Sequence, residues 1–390
     1  MKLKRNIPLM YIIGSLMWGR FFIPVLALFY VASQVTLGQF GFIMGVFSLS
    51  ILLFEIPTGA MGDLIGRRNT LLISRFMYMI EISLIAFFNG FWIFLIAKII
   101  SGIGVSLASG TGQAMLYDTL KTQRRKDKYK KISGSIGMIS NISMAVVFIT
   151  GAFLFSLNTK LPAIASIPLV GLGLILTFFL EEPPVKKKKH KKYTTHIKES
   201  LAYFKRSDFI KYLAVMSFFT SAAISIMFSM SSAYISAIAF PVYIIGTLAF
   251  ISSLVMAFGS KKAHIWEKIL GEKKSIFFIK LGIVIALFAS GLMIRYVGYI
   301  FYLLIPLIAG FEGVVIGDYV NKHLESSHRA TVLSIKSMFS NLSIFLLFPL
   351  VGFMQGSRGL GFSIMALGAI TAVGFLALYI YSKILKLKIN

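Results

Sequence analysis

The sequence predicts an all-α membrane protein with twelve transmembrane helices in two pseudo-symmetric six-helix bundles. Three observations carry that prediction. Hydrophobic residues make up 57% of the 390-residue chain and charged residues only 14%, against about 25% charged in soluble domains. Mean hydropathy is +0.82, and the apolar residues fall into runs of about 20, the length that crosses a bilayer. The basic residues gather in every second segment between those runs.

The charge distribution decides what the net charge of +26 means. Nucleic acid is the first partner such an excess calls to mind, but the cations are not on one face. Seven fall in Lys121–Lys131, nine in Lys186–Arg206 and five in Lys261–Lys274, with more at both ends of the chain. The outer turns hold Lys160, Arg295 and Arg358. This is the bias that keeps loops on the cytoplasmic side, and an odd number of missed spans would destroy it. Anionic membrane lipids are therefore the expected surface partner, not nucleic acid. The opening MKLKRNIPL has no small-residue cleavage site behind it, so it reads as the cytoplasmic end of helix one. Both termini are expected in the cytoplasm, with the protein in the cytoplasmic membrane.

Several chemistries are excluded. There is no cysteine, hence no disulfide or thiolate. The five histidines show no metal-ligand spacing, so neither metal nor cofactor is expected. No P-loop and no nucleophile–base set occurs, so no catalytic residue is assigned and an enzyme is disfavoured.

Taken in order, helix one is expected over Pro8–Val31 and helix two over Gly38–Met61. Helix three follows over Asn69–Phe88, helix four over Phe91–Leu116, helix five over Ile132–Phe155 and helix six over Leu161–Leu180. Adjacent prolines in EEPPVKKKKHKK, Glu181 to Lys192, cannot continue a helix. They open the longest polar segment, which divides the chain into an N-terminal bundle at 1–180, a basic linker at 181–207 and a C-terminal bundle at 208–390. Helix seven is expected over Asp208–Met230 and helix eight over Ile244–Phe258. The amphipathic stretch Ser260–Ser275 is expected at the interface with Ile265, Trp266 and Ile269 inward. Helices nine to twelve follow over Ile276–Ile294, Ile300–Tyr319, Ala330–Met354 and Leu360–Ile384. Helix four ends MLYDTLK and helix ten ends IGDYVNK, a weak repeat that places Asp118 and Asp318 alike in two related halves.

Between helices two and three lies GAMGDLIGRR, Gly59 to Arg68. So short a connection between two spans makes an antiparallel pair. Gly59, Asp63, Gly66, Arg67 and Arg68 in this spacing resemble the signature loop of the major facilitator superfamily of secondary transporters. Phe54–Gly59 resembles a drug-efflux-like bacterial branch of it. Lys98, Gly102 and Gly104 resemble that family's helix-four motif, with lysine where arginine is usual, and His328–Ser334 resembles a further segment of the same branch. The resemblance implies alternating access by two bundles around a midplane substrate site. It implies a conformational gate at Gly59, Asp63, Gly66, Arg67, Arg68, Asp118, Asp318 and Arg329. Asp63 can pair with Arg67 four residues on.

Arg20, Glu55, Glu81, Lys98 and Glu312 are the ionisable residues singled out inside the spans. Charge at bilayer depth is costly and faces a cavity or a partner, so these are the candidates for substrate binding and proton coupling. Fixed ion pairs that only brace helices are the competing reading, most of all for Glu81. Pro57 removes a backbone hydrogen bond beside Glu55 and invites a hinge. Lys98, Gly102, Ser106, Gly110, Ala114 and Asp118 recur every four residues, and the middle four form a small-residue packing stripe. Gly310, Gly313 and Gly317 are expected to pack or flex around Glu312, and Lys336 to snorkel outward. The expected activity is proton-coupled export of a small amphipathic compound by a monomer. The alternatives are import of a charged metabolite, with Arg20 on its anionic group, or a non-transporting receptor or scaffold on the same fold.

Overall fold

The computed structural model describes residues 2–184, 204, 208–293, 296–323 and 326–384. Most of the linker at 181–207 and the side chains of Asp63 and Arg329 lie outside the described residues. All regular structure among the described residues is helical.

The first apolar run is not one helix. It forms α1 (Asn6–Leu16) and α2 (Leu26–Ala32), separated by an irregular stretch and a 3-10 turn at Ile23–Val25. Pro24 has no N–H to give and restricts the residue before it. Neighbouring helices take over the freed backbone groups. The Phe21 N–H donates to Ser166 Oγ at 2.9 Å, and the Phe21 carbonyl packs where a side chain on Gly151 would otherwise lie. Non-helical backbone at membrane depth survives only when buried in this way.

The remaining helices of the first half are α3 (Leu37–Leu64), α4 (Arg67–Phe87), α5 (Phe91–Ala108), α6 (Thr111–Thr122), α7 (Tyr129–Leu157) and α8 (Leu161–Phe178). Gly66 turns the chain between α3 and α4 at φ 92°, a conformation that favours glycine. α3 runs through Pro57, and Thr58 Oγ1 donates to the Phe54 carbonyl at 2.6 Å. The expected helix four is split at Ser109–Gly110, where Gly110 has φ 70°. The four-residue stripe is therefore interrupted. Gly102 packs close, since a Cβ there would meet Ser50 at 2.7 Å, but Gly110 has nothing within 4 Å. Asp118 lies inside α6, not at a helix end.

The second half holds α9 (Asp208–Ser229), α10 (Ser231–Ala237), α11 (Val242–Leu292), α12 (Tyr296–Tyr302), α13 (Leu304–His323), α14 (Ser326–Arg358) and α15 (Leu360–Ile384). α11 is 51 residues long with a non-helical Gly271 inside. Its two helical segments meet at Gly271, and together they are long enough to cross the bilayer twice. It therefore contains the expected helices eight and nine. Trp266 packs on Phe258 and Phe311. Ile265 and Ile269, expected to turn toward the membrane interface, are 40% and 75% exposed on the protein surface. Among the described residues ten helices are long and apolar enough to cross a membrane. With α11 crossing twice and the interrupted α1–α2 run, the count is consistent with twelve spans.

The chain divides into two compact units. The first comprises 1–35, 46–190 and 242–247; the second comprises 36–45, 191–241 and 248–390. In the first, α4 packs on α5 and α8 through Leu71, Ser74, Tyr78, Ile82 and Ile85. In the second, α9 packs on α14 and α15. Gly310 of α13 sits against the backbone of Met256 and Ser260, while Gly313 and Gly317 have nothing within 4 Å. Only the first of those three glycines serves close packing. Trp92, Phe87 and Phe353 are 66–70% exposed. In water that would be costly, but lipid tails are as apolar as these side chains, so close packing and polar contacts hold the helices together.

Candidate functional site

The first unit buries an ionic cluster between α4, α5 and the break after α1. Glu81 of α4 is fully buried. Lys98 Nζ donates to its Oε1 at 2.7 Å, and Ser101 Oγ donates to Oε2 at 2.7 Å. Arg20 NH1 stands 3.7 Å from the same Oε2. Arg20 sits in the non-helical stretch, so its backbone leaves the helical path where its side chain meets Glu81. Its guanidinium lies 4.8 Å above the centroid of the Tyr78 ring. Lys98 also faces the rings of Phe47 and Phe22 at 5.3 and 5.8 Å.

Three of the five intramembrane candidates, Arg20, Glu81 and Lys98, are thus brought together. The bonds of this cluster do not include Glu55, which is half-buried on α3. One further cation was not singled out by sequence reasoning. Arg75 lies three residues before Tyr78, one helical turn away on the same face, and its guanidinium is 5.9 Å from that ring. The spacing was the available signal.

Glu312 occupies the second unit. It is 5% exposed and accepts a 2.7 Å hydrogen bond from Thr220 Oγ1 of α9. Lys336 of α14 lies within electrostatic reach of it. Lys336 lines a small apolar crevice with Ile210, Leu213, Ile316 and Val332. Lys336, expected to snorkel outward, stands at this crevice with Glu312 in electrostatic reach.

The expected gate region is knitted together at one end of the first unit. Arg67 NH2 pairs with Asp118 Oδ2 at 2.7 Å. The Glu182 carboxylate accepts the backbone N–H groups of Arg67 and Arg68 at 2.8 and 2.7 Å, so it caps the start of α4, where the helix dipole favours an anion. Arg68 NH2 donates to the Phe178 carbonyl at 2.6 Å. Fully buried Asn6 donates through Nδ2 to the Glu181 carbonyl at 2.8 Å and to Thr119 Oγ1 at 3.2 Å, and accepts the Glu181 N–H at 2.9 Å. Arg5 pairs with Glu181 at 2.8 Å. Gly59 lies within α3, Gly66 is the turn, and Asp318 lies exposed near the end of α13.

At the opposite end, Lys160 Nζ donates to the Ile85 and Phe88 carbonyls, both at 2.9 Å. It closes the C-terminal end of α4 as Glu182 closes its start. Partial burial holds the Lys160 ammonium below the usual lysine range.

Among the described residues no group of three or more His, Cys, Asp or Glu could hold a metal. What the arrangement offers is charge at bilayer depth and hydrogen-bonded helix ends.

Comparison with known proteins agrees with that architecture. The chain is 24% identical over 213 residues to the uncharacterized MFS-type transporter YxaM of Bacillus subtilis, a match covering 52% of this chain and 51% of YxaM. The matched region thus spans about half the length of that relative. It is 25% identical over 325 residues to an uncharacterized transporter of Buchnera aphidicola, covering 78% of each. The fold superposes on a D-xylose–proton symporter with a TM-score of 0.76 at 16% identity, covering 96% of this chain and 97% of that one. The family model of the Major Facilitator Superfamily matches residues 9–346, nearly the whole chain. The chain is therefore a multi-pass membrane protein and belongs to the Major Facilitator Superfamily of transporters.

Proposed function

We propose that this protein is a proton-coupled secondary transporter that exports a small amphipathic compound across the cytoplasmic membrane by alternating access, with both termini in the cytoplasm. The single observation that carries the coupling is the unequal partnering of two buried carboxylates. Both oxygens of Glu81 are engaged, with two cations and a hydroxyl around them. That carboxylate is a fixed brace. Glu312 accepts one hydroxyl hydrogen bond and shares its surroundings with one lysine. A proton arriving at Glu312 would neutralise a charge that is costly at bilayer depth. Glu312 is thus the proton carrier in this reading, and Glu81 is not.

The outward direction and the amphipathic cargo rest on the resemblance of Phe54–Gly59 to drug-efflux-like transporters. Arg67, Arg68 and Asp118 serve as the gate, with Gly59, Asp63, Asp318 and Arg329 assigned to it by their positions in the sequence. The chain acts as a monomer, and its basic loops lie on anionic lipid.

Proteoliposomes with an imposed pH gradient and a fluorescent amphipathic dye test this reading. Glu312→Gln is expected to abolish gradient-driven accumulation of the dye while leaving dye exchange without a gradient. Accumulation that persists in Glu312→Gln overturns it.

A further inference from the structure

The cluster around Tyr78 holds more cations than one carboxylate can balance. Arg20, Arg75 and Lys98 converge on this region, and Glu81 is the one carboxylate bonded there among the described residues. The Glu81 oxygens are already taken by Lys98 and Ser101 at 2.7 Å, so Arg20 at 3.7 Å is a loose third partner.

Arg75 is less satisfied still. Among the described residues no hydrogen bond or ion pair reaches its guanidinium. Its Nε and that of Arg20 are both buried without a partner. Both guanidinium carbons lie within 5.9 Å of the centroid of one tyrosine ring. Arg75 is eight residues into α4, about 12 Å from its start. Buried charges are ordinarily paired. Two guanidinium groups over one ring, each with a buried Nε that has no partner, leave hydrogen-bond donors that an oxyanion could take.

Arg20 gains a further feature from the break in helix one. Broken helices at bilayer depth place polar groups where a solute can reach them. Arg20 is carried on that stretch, and its side chain is 20% exposed.

We propose that Arg20 and Arg75, stacked on Tyr78, bind the carboxylate or phosphate of an amphipathic organic anion, so that the transported compound is an acid. Glu81 and Lys98 position Arg20 and do not themselves contact the solute. The proposal rests on the transport reading for the compound's passage. Binding at equilibrium needs no proton gradient, so the two fail separately. Intact anion binding with no gradient-driven transport would leave this site standing and remove the coupling.

The full-length protein in nanodiscs is titrated by calorimetry with three probes that share a ring system: 2-naphthoate, 2-naphthol and (2-naphthylmethyl)trimethylammonium. Naphthoate is expected to bind at least tenfold tighter than the other two. Arg75→Gln should weaken it at least tenfold. Arg75→Lys, which keeps the charge and loses the fork, should fall between and carries the test if the glutamine variant does not fold. Repeating the titration in phosphatidylcholine and phosphatidylglycerol discs separates a solute from a lipid headgroup. The same Arg75-dependent naphthoate binding in both supports the proposal. Naphthoate binding no tighter than naphthol's, or binding unchanged in both variants, overturns it. So does Arg75-dependent stabilisation by phosphatidylglycerol with none by naphthoate.

Discussion

Lys98 donates a 2.7 Å hydrogen bond to Glu81 from the neighbouring helix, with both side chains almost wholly buried. Removing one partner of such a pair leaves the other charged and alone, which costs about 3–5 kcal/mol. Replacing both with apolar residues of similar size is often neutral. Glu81→Gln is therefore expected to lower thermal stability sharply, and Lys98→Met likewise. The double variant Glu81→Leu, Lys98→Met should recover most of the loss. A double-mutant cycle read by thermal unfolding checks this. Equal, additive losses would show that the bond is incidental.

Arg67 and Asp118 form a second close pair, 2.7 Å apart and mostly shielded. Asp118→Asn and Arg67→Gln should each slow transport in proteoliposomes at least tenfold. The exchanged pair Arg67→Asp, Asp118→Arg should restore part of it. No rescue by the exchange would show that the positions matter for something besides their mutual attraction.

Glu182 caps α4 from a point more than a hundred residues along the chain. Glu182→Ala should cost about 1 kcal/mol, the usual price of an N-cap. Its local signature is faster hydrogen exchange at the amides of Arg67 and Arg68, with little change in the middle of α4. Uniform acceleration along α4 would point to a global effect.

Gly151 lies where the Phe21 carbonyl packs, and any side chain would occupy that space. Gly151→Ala should destabilise the protein by about 1–3 kcal/mol through overpacking. Gly137→Ala, with nothing within 4 Å of its Cβ position, should be neutral or slightly stabilising because alanine favours helix. Measuring both by thermal unfolding separates tight contact from ordinary glycine flexibility.

The helices and their order are legible in the sequence because each span is long, apolar and bounded by charge or a turn. Leu360–Ile384 is helical over the same residues that its composition predicts. The breaks are not legible, because their causes are distant in the chain. The interruption after α1 depends on Ser166 and Gly151. Arg75 carries no local sign in the sequence of what stands near it from elsewhere in the chain. Only the placement of Arg20 over the same tyrosine turns it into part of a cluster. Glu182 beside Pro183 reads as the start of a linker, since the helix it caps begins far upstream. Lys336 lacks any local sign that Glu312 is near it. Charges embedded in spans can be found by eye, whereas their partners require the packing.

The interrupted first span has a consequence for how this chain is made. When that segment leaves the ribosome and enters the bilayer, neither Ser166 nor Gly151 has yet been synthesised. With no protein neighbour to receive the backbone groups of Phe21, lipid favours an unbroken helix. The bent form can settle only after helices five and six have inserted and docked. Arg20 reaches its final place late in biogenesis, as a product of assembly and not of insertion.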